Sequence, residues 1–302
     1  MSKQDRLNSY NSWPNGAPFP AEIQFGQRIA ATSVPLFVPI QVNANLTLEG
    51  HISLSYVLDA LGSLPRRPDH SFDWAWKAFE HLTKKGAPNL NITEALRVFA
   101  VPQICSALNN DGNASIQFQE FVNKIPMQTA RFMLKKIIKE KPYAPPTSPF
   151  AKRLLFANGN GPVTSQALQA LLDKLSGYNY SNASDRRKGA SLLRKALTGQ
   201  ALTYPLGQFA LSQQDRILLL VSGLGYGFRN DRTHANSISP FTSSKAGVKT
   251  YAHCWFSFLL IYYSLTMLWA NNGFVPAQGA LGANYSQNNA GFMSLFSNVL
   301  GN

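Results

Sequence analysis

The stretch "YAHCWFSFLLIYYSLTMLW", residues 251–269, contains the longest apolar run of this chain. The run from Cys254 to Ala270 falls just short of the roughly 20 residues that span a bilayer as a helix. Ser257 and Ser264 interrupt it, and no basic flank of the usual kind accompanies it. We therefore predict a helix buried in a protein core or an interface, and no membrane-spanning segment.

The composition around this stretch is that of a basic globular protein. Apolar residues make up 45% of the 302 residues and charged residues 14%, which excludes a disordered chain. The 28 Lys and Arg residues outnumber the 15 Asp and Glu residues, so the formal net charge is +13. This balance favours a polyanionic partner, most simply nucleic acid. A basic protein without such a partner is the alternative.

Cysteine usage and the N-terminal stretch bear on the compartment. Cys105 and Cys254 are too few for a disulfide framework, and both lie among apolar residues. They are typical of buried thiols in a reducing environment. Residues 1–13 contain no apolar signal region. We therefore expect a cytoplasmic protein.

Hydrophobic periodicity and proline content divide the chain into three parts. Residues 1–50 contain five prolines between positions 14 and 39, which rule out a continuous helix and predict a partly extended, irregular segment. Residues 51–270 place apolar residues at helical spacing, with a possible proline-rich linker at 141–150. Residues 271–302 are rich in Gly and Asn and are predicted to be an irregular tail. The predicted fold class is all-α.

The polar stretch "RNDRTH", residues 229–234, lies between two apolar stretches. Arg229 is permanently charged and can hold a phosphate with two parallel hydrogen bonds. His234 supplies an imidazole, a group that can act as general base or general acid, and Asn230 shares its face of a helix. This set suits metal-free RNA cleavage. A base removes the proton of the ribose 2′-OH, which attacks the adjacent phosphorus, and a cation stabilises the charge on the phosphoryl oxygens.

Helix geometry sets a condition on this pair. At about 100° per residue, Arg229 and His234 lie about 140° apart on a straight helix. A bend near the glycine-rich stretch "SGLGYG" (222–227), a helix end, or a second copy of the chain would bring them together.

The stretch resembles the RNxxxH motif of the HEPN superfamily, helical-bundle nucleases of prokaryotic defence and toxin systems. The resemblance covers Arg229, Asn230 and His234, and in that family the motif precedes the last long helix of the bundle, as 250–269 follows it here. It implies a HEPN-like bundle with additional helices and a metal-independent endoribonuclease without a cofactor. It also implies a homodimer with RNA as substrate, as the effector of a toxin–antitoxin or antiviral defence system. An antitoxin or activating protein would then restrain or trigger it.

Further basic residues near the motif are candidates for holding the RNA. Arg232, Lys245 and Lys249 are predicted to bind substrate phosphates, and Asp231 or Arg232 is a possible assistant in catalysis. The last hundred residues contain only Asp215 and Asp231 as acidic side chains, which disfavours a two-metal nuclease site there.

Two other functions stay open at this point. The first is a non-catalytic HEPN-like subunit that binds RNA or assembles a defence complex. The second is calcium binding at residues 109–120, "NNDGNASIQFQE", where oxygen donors occupy EF-hand positions but Ala114 replaces the usual glycine. A helix–turn–helix connection is the favoured interpretation of that stretch.

Overall fold

The computed structural model describes residues 3–155, 165–204, 207–234, 239–243, 245–275 and 279–301. These residues form mainly helices, namely α1 (Lys3–Asn11), α2 (Pro20–Ala30), α3 (Leu48–Ser63), α4 (Pro68–Gly86), α5 (Ile92–Ala95), α6 (Val101–Asn110), α7 (Gly112–Asn123), α8 (Met127–Lys139), α9 (Pro149–Leu155), α10 (Gln166–Ser176), α11 (Ala183–Leu197), α12 (Gln213–Leu218), α13 (Tyr226–Thr233), α14 (Val248–Asn271) and α15 (Ala280–Phe296). One antiparallel pair joins β1 (Leu202–Tyr204) to β2 (Gly207–Phe209). The predicted all-α class is confirmed.

Helix α14 is the centre of the molecule. Every residue from Thr250 to Trp269 is buried, and α4, α6, α8 and α15 pack around it. The hydroxyls of Ser257 and Ser264 donate to the carbonyls of His253 and Leu260 within the helix, so these polar groups are satisfied without water. The helix is long and apolar enough to cross a membrane, but its most apolar window is entirely buried inside the molecule. The prediction of a buried helix is confirmed.

Helices α12 and α13 form one continuous run through a π-helical turn, Leu219–Gly225. Such a turn leaves carbonyls without their usual partners, and the Ser222 carbonyl accepts a hydrogen bond from Arg153 Nε at 3.2 Å. At Gly225 a Cβ would lie 2.9 Å from the Ile261 side chain, so glycine allows the run to approach α14 closely. The irregularity expected around this glycine-rich stretch therefore precedes the RNDRTH motif.

The N-terminal segment differs from the prediction of an extended or irregular 1–50, because it contains α1 and α2. Proline is tolerated at the first position of a helix, where its missing N–H has no partner to lose, and Pro20 occupies that position in α2. The Glu22 carboxylate accepts a hydrogen bond from the Phe19 backbone N–H at 2.8 Å and fixes the start of the helix. Residues 32–47 form neither helix nor strand.

The predicted irregular tail, 271–302, is also corrected, because it contains the largely buried helix α15. Its Asn and Gly residues obscured the helical pattern, but they have packing roles. The side-chain amides of Asn284 and Asn288 both donate to the Val38 carbonyl, and Asn288 Oδ1 accepts from the Val38 N–H at 2.7 Å. At Gly291 the backbone of residues 35–36 contacts the helix directly.

Two connecting segments were also assigned a structure from the sequence, the linker at 141–150 and the stretch at 109–120. The linker predicted at 141–150 is free of helix as far as Ser148, and α9 begins at Pro149. The calcium loop at 109–120 does not form, because α6 ends at Asn110 and α7 begins at Gly112. Asp111 caps α7 by accepting from the Ala114 N–H at 2.9 Å, so its carboxylate serves the favoured helix connection.

Replacing Gly291 by Ala should destabilise the protein. The new Cβ would lie 2.5 Å from the Leu36 carbonyl oxygen and 2.8 Å from that of Pro35, so backbone must move. We expect the free energy of unfolding to fall by about 2 kcal/mol, which is typical of overpacking. Denaturant unfolding of the two proteins would measure it.

Gly26, inside α2, provides the matched control, because nothing lies within 4 Å of a Cβ added there. Gly26→Ala should raise stability by about 0.5–1 kcal/mol through the helix preference of alanine. Equal effects of the two substitutions would contradict the close packing of α15 on residues 35–36.

Candidate functional site

The RNDRTH motif forms the last turns of α13. The His234 N–H donates to the Asn230 carbonyl at 3.0 Å, and the Thr233 hydroxyl donates to the Arg229 carbonyl at 2.9 Å. Helical geometry therefore continues through the motif, and the helix ends at His234. No bend lies between Arg229 and His234. The helix end that could have brought the pair together comes only at the C-cap residue His234 itself, with φ −91° and ψ 8°, so the two side chains still leave the helix about 140° apart. Within one chain, the helix does not bring the predicted pair together.

Arg229 is directed toward α4. Its guanidinium lies 3.9 Å from Glu80 Oε2, donates to Asn230 Oδ1 at 3.2 Å, and stands 5.8 Å from the centroid of the Tyr226 ring. Trp76 Nε1 donates to the same Glu80 oxygen at 2.6 Å and fixes that carboxylate. At 3.9 Å the ion pair is loose, and the Arg229 side chain is 30% exposed. Arg229 can therefore exchange Glu80 for a phosphate at small cost.

His234 and Asn230 occupy a more open part of the helix end. His234 is exposed, and Asn230 is half-buried. Among the described residues, no side-chain hydrogen bond holds the His234 ring. Because His234 is exposed, its ring is accessible to a ligand from solvent.

Carboxylates of α4 occupy the guanidinium of Arg232, one of the residues predicted to bind substrate. Nε donates to Asp73 Oδ1 at 2.7 Å, the second Asp73 oxygen is also bonded, and Nη1 lies 3.2 Å from Asp69 Oδ2. The Arg232 side chain is only 15% exposed. This bidentate geometry makes Arg232 the anchor of α13 on α4.

Asp69 is the buried centre of this network. Burial on its own would raise its pKa, but hydrogen bonds from Arg67 at 2.8 and 3.0 Å and the nearby charge of Arg232 outweigh burial and hold the pKa below its ordinary value. The carboxylate is therefore ionised at neutral pH, and two guanidinium groups balance it.

A basic cleft of about 880 Å³, called the lysine cleft below, opens between α8, α13 and the segment before α14. Its charged lining comprises Lys135, Lys136, Lys139, Asp231, Arg232 and Lys245, with His70 and His253 beside them. Asp231 is the only carboxylate in the lining formed by the described residues, and Lys136 pairs with it. The cleft therefore carries a net positive charge that attracts phosphate groups.

Helix α8 is amphipathic, and its lysines lie on the polar face. Its apolar face, with Met133, Leu134 and Ile137, is buried, so the lysines at intervening positions face outward. In the sequence they stood out only as a basic helix end. Their position opposite the apolar face of α8 could have indicated an exposed basic surface. The other wall of the cleft could not be predicted, because its residues lie about a hundred positions downstream.

Aromatic rings form the floor of the cleft. Phe132 lies edge-on to Phe228 with centroids 5.9 Å apart, and both contact the His253 ring, at 5.3 and 4.9 Å respectively. His253 Nδ1 is hydrogen-bonded to the Thr129 hydroxyl at 2.9 Å. Burial lowers the pKa of His253 to about 4, so this ring is neutral at physiological pH. The adjacent Cys254 is fully buried, and burial raises the pKa of its thiol, so it is not an activated nucleophile.

The structure brings only some of the predicted residues together. Asp231, Arg232 and Lys245 line the lysine cleft, whereas Arg229, Asn230, His234 and Lys249 are not part of its lining. Lys249 is exposed on the first turn of α14.

The part of the chain that the structure describes contains no group of three or more His, Cys, Asp or Glu side chains that could hold a metal ion.

Comparison with known proteins gives no relative: no family model, curated protein or solved structure matches this chain.

Removing the Arg232 guanidinium should destabilise the fold. Arg232→Ala leaves the buried Asp69 with one guanidinium partner, Arg67, beside the His70 ring at 3.8 Å, and we expect a loss of about 3 kcal/mol in the free energy of unfolding. The control Arg187→Ala, on the exposed face of α11, should change stability by less than about 0.5 kcal/mol.

The pH dependence of the free energy of unfolding tests whether this loss arises from the charge of Asp69. Because the folded-state pKa of Asp69 is lowered, its contribution to stability is present above the unfolded-state value of about 3.9 and is lost as pH falls through the folded-state pKa. The difference between wild type and Arg232→Ala should therefore shrink in acid. A constant difference from pH 7 to pH 3 would contradict this role for Arg232.

Proposed function

We propose that this protein is a metal-independent endoribonuclease that holds RNA in the lysine cleft and cleaves it at the exposed end of α13. The observation that carries the proposal is the position of this cleft beside the RNDRTH helix. Asp231 and Arg232 belong to its lining, and His234 follows them at the open end of the same helix. A strand bound by the lysines would leave the cleft near a free imidazole.

The proposed reaction needs a proton shuttle and a cation. His234 removes the proton of a ribose 2′-OH as the 2′-oxygen forms a bond to the adjacent phosphorus. The bond from phosphorus to the 5′-oxygen then breaks. The leaving oxygen takes a proton from the imidazolium of His234, and the other product is a 2′,3′-cyclic phosphate. Arg229 stabilises the charge that gathers on the phosphoryl oxygens.

The separation of Arg229 from His234 supports a site shared by two copies of the chain. Along one α13 the two side chains point about 140° apart, so a single copy directs them to different sides of the helix. A homodimer that packs its α13 ends together would combine Arg229 of one copy with His234 of the other, as the resemblance to HEPN nucleases implies. An antitoxin or activating protein would control access to that pair.

Cleavage of RNA in excess EDTA tests this proposal. Wild type should cleave, and His234→Ala should lower the rate at least about a hundredfold, because acid–base groups contribute about 10²–10⁴. Arg229→Ala should cause a loss of similar order. The control is His51→Ala, which removes an exposed histidine of α3 and should leave the rate unchanged.

Two results would overturn the nuclease proposal. One is the absence of cleavage by wild type on both structured and unstructured RNA. The other is activity that survives His234→Ala, which would indicate a contaminating nuclease.

One observation favours a second candidate, a non-catalytic subunit that binds RNA. Arg229 already contacts Glu80 and Asn230, and no hydrogen bond or ion pair among the described residues directs it to His234. In this case the lysine cleft binds RNA, but wild type shows binding without cleavage.

Both candidates predict that the lysine cleft contacts phosphates. Lys135→Gln with Lys139→Gln should weaken RNA binding and reduce the slope of log K against log salt by about 1.4, since each contact with a single strand contributes about 0.7. Binding titrations across a salt series measure this slope.

The matched control removes the same charge from another surface. Arg187→Gln with Lys188→Gln, both exposed on α11, should leave the slope unchanged. Equal changes in the two double variants would mean diffuse attraction and no defined cleft.

A further inference from the structure

The lysine cleft combines two chemistries that a site for phosphates alone does not need. Its rim carries the lysines of α8 and Lys245, while its floor is built from Phe132, Phe228 and His253. A basic groove with aromatic side chains is the combination that binds single-stranded nucleic acid, because lysines follow the backbone and rings stack on the bases.

Phe132 is the ring best placed for stacking. It is half-buried, whereas Phe228 and His253 are only 5% and 6% exposed. Phe228 meets it edge-on at 89°, and His253 packs beside it, so neighbouring rings fix its orientation while part of its surface borders the cleft. A ring held in place loses little freedom when a base packs on it.

The charges around Phe132 agree with a base on the floor and phosphates on the rim. His253 is neutral and adds no charge to the floor. Lys136 Nζ stands 5.8 Å from the centroid of the Phe132 ring and is paired with Asp231. Lys135 and Lys139, one turn apart on α8, remain to contact phosphates on the rim.

The size of the cleft favours an unpaired strand. A volume of about 880 Å³ is within the range of small-molecule sites and is too small to enclose a double helix. In a duplex, neighbouring bases cover both faces of every base, so none is available to stack on Phe132.

We infer that the lysine cleft takes an unpaired stretch of RNA and stacks one base on Phe132, while Lys135 and Lys139 contact the flanking phosphates. This inference rests on the proposed binding of RNA and names its substrate class. Cleavage would then fall in single-stranded regions, within a nucleotide or two of the stacked base.

The experiment uses the full chain carrying His234→Ala, so that bound RNA stays intact. Fluorescence anisotropy measures the affinity for three kinds of RNA. These are a short single strand, the same strand in a duplex, and a set of single strands that each carry one abasic nucleotide at a different position. The single strand should bind at least about tenfold more tightly than the duplex. One abasic position should weaken binding about 5- to 100-fold, the range measured for base–aromatic stacking.

Adding Phe132→Leu keeps the apolar volume and removes the aromatic face. It should weaken binding of the intact strand by a similar factor, leave binding of the abasic strand nearly unchanged, and not alter the salt slope. Phe209→Leu, a half-buried phenylalanine of β2 outside the cleft, is the matched control and should have no effect. Melting curves of both variants verify that the fold is intact.

The inference is overturned if duplex and single strand bind equally, if neither binds, or if Phe132→Leu weakens the intact and abasic strands alike. Cleavage by wild type, measured in parallel, separates this result from the proposed function. If wild type cleaves RNA but binding does not depend on Phe132, the inference is wrong and the proposed nuclease function stands. If a base stacks on Phe132 but wild type does not cleave, the nuclease function is wrong and the inference stands.

Discussion

A helix that is apolar around its whole circumference can lie only where other elements cover every side, and α14 is such a helix. This requirement arranges the rest of the molecule. Helices α4, α6, α8 and α15 all pack against α14, and on α8 the side away from the buried apolar face carries lysines. The lysine cleft results from this arrangement, because α8 packs its apolar face inward and its lysines stand outward, opposite the segment that leads into α14. A basic surface is thus built on the most apolar part of the fold.

Ion pairs add the second level of organisation. The end of α13 carries Arg232, which joins the buried Asp69 and the neighbouring Asp73 of α4. A buried carboxylate is stable only if its charge is balanced, so α13 cannot move away from α4 without a large cost. The same helix end therefore has a fixed side and an open side. Arg232 holds the fixed side, and Asn230 and His234 lie toward solvent, where a ligand can reach them.

The sequence predicted those parts of the fold whose signal is local. Residues 251–269 predicted a buried helix by their continuous apolar character. Helix α15 was missed, because its burial depends on amides that bond to Val38, about 250 residues away. The ion pairs of Arg232 could not be predicted for the same reason, since its carboxylate partners lie some 160 positions upstream. The RNDRTH motif was recognisable, but its geometry and the cleft beside it arise only when distant segments pack together.

The π-helical turn at Leu219–Gly225 sets the rotational phase of everything that follows it. It adds a residue to one turn, and each residue of a helix corresponds to about 100° of rotation. Shortening this turn by one residue, to give a regular α-helix, would rotate Arg232 away from Asp69 and move Asp231 off the cleft wall. The length of this stretch is therefore constrained as strictly as the identity of the residues after it, and insertions or deletions there would be tolerated far less well than substitutions.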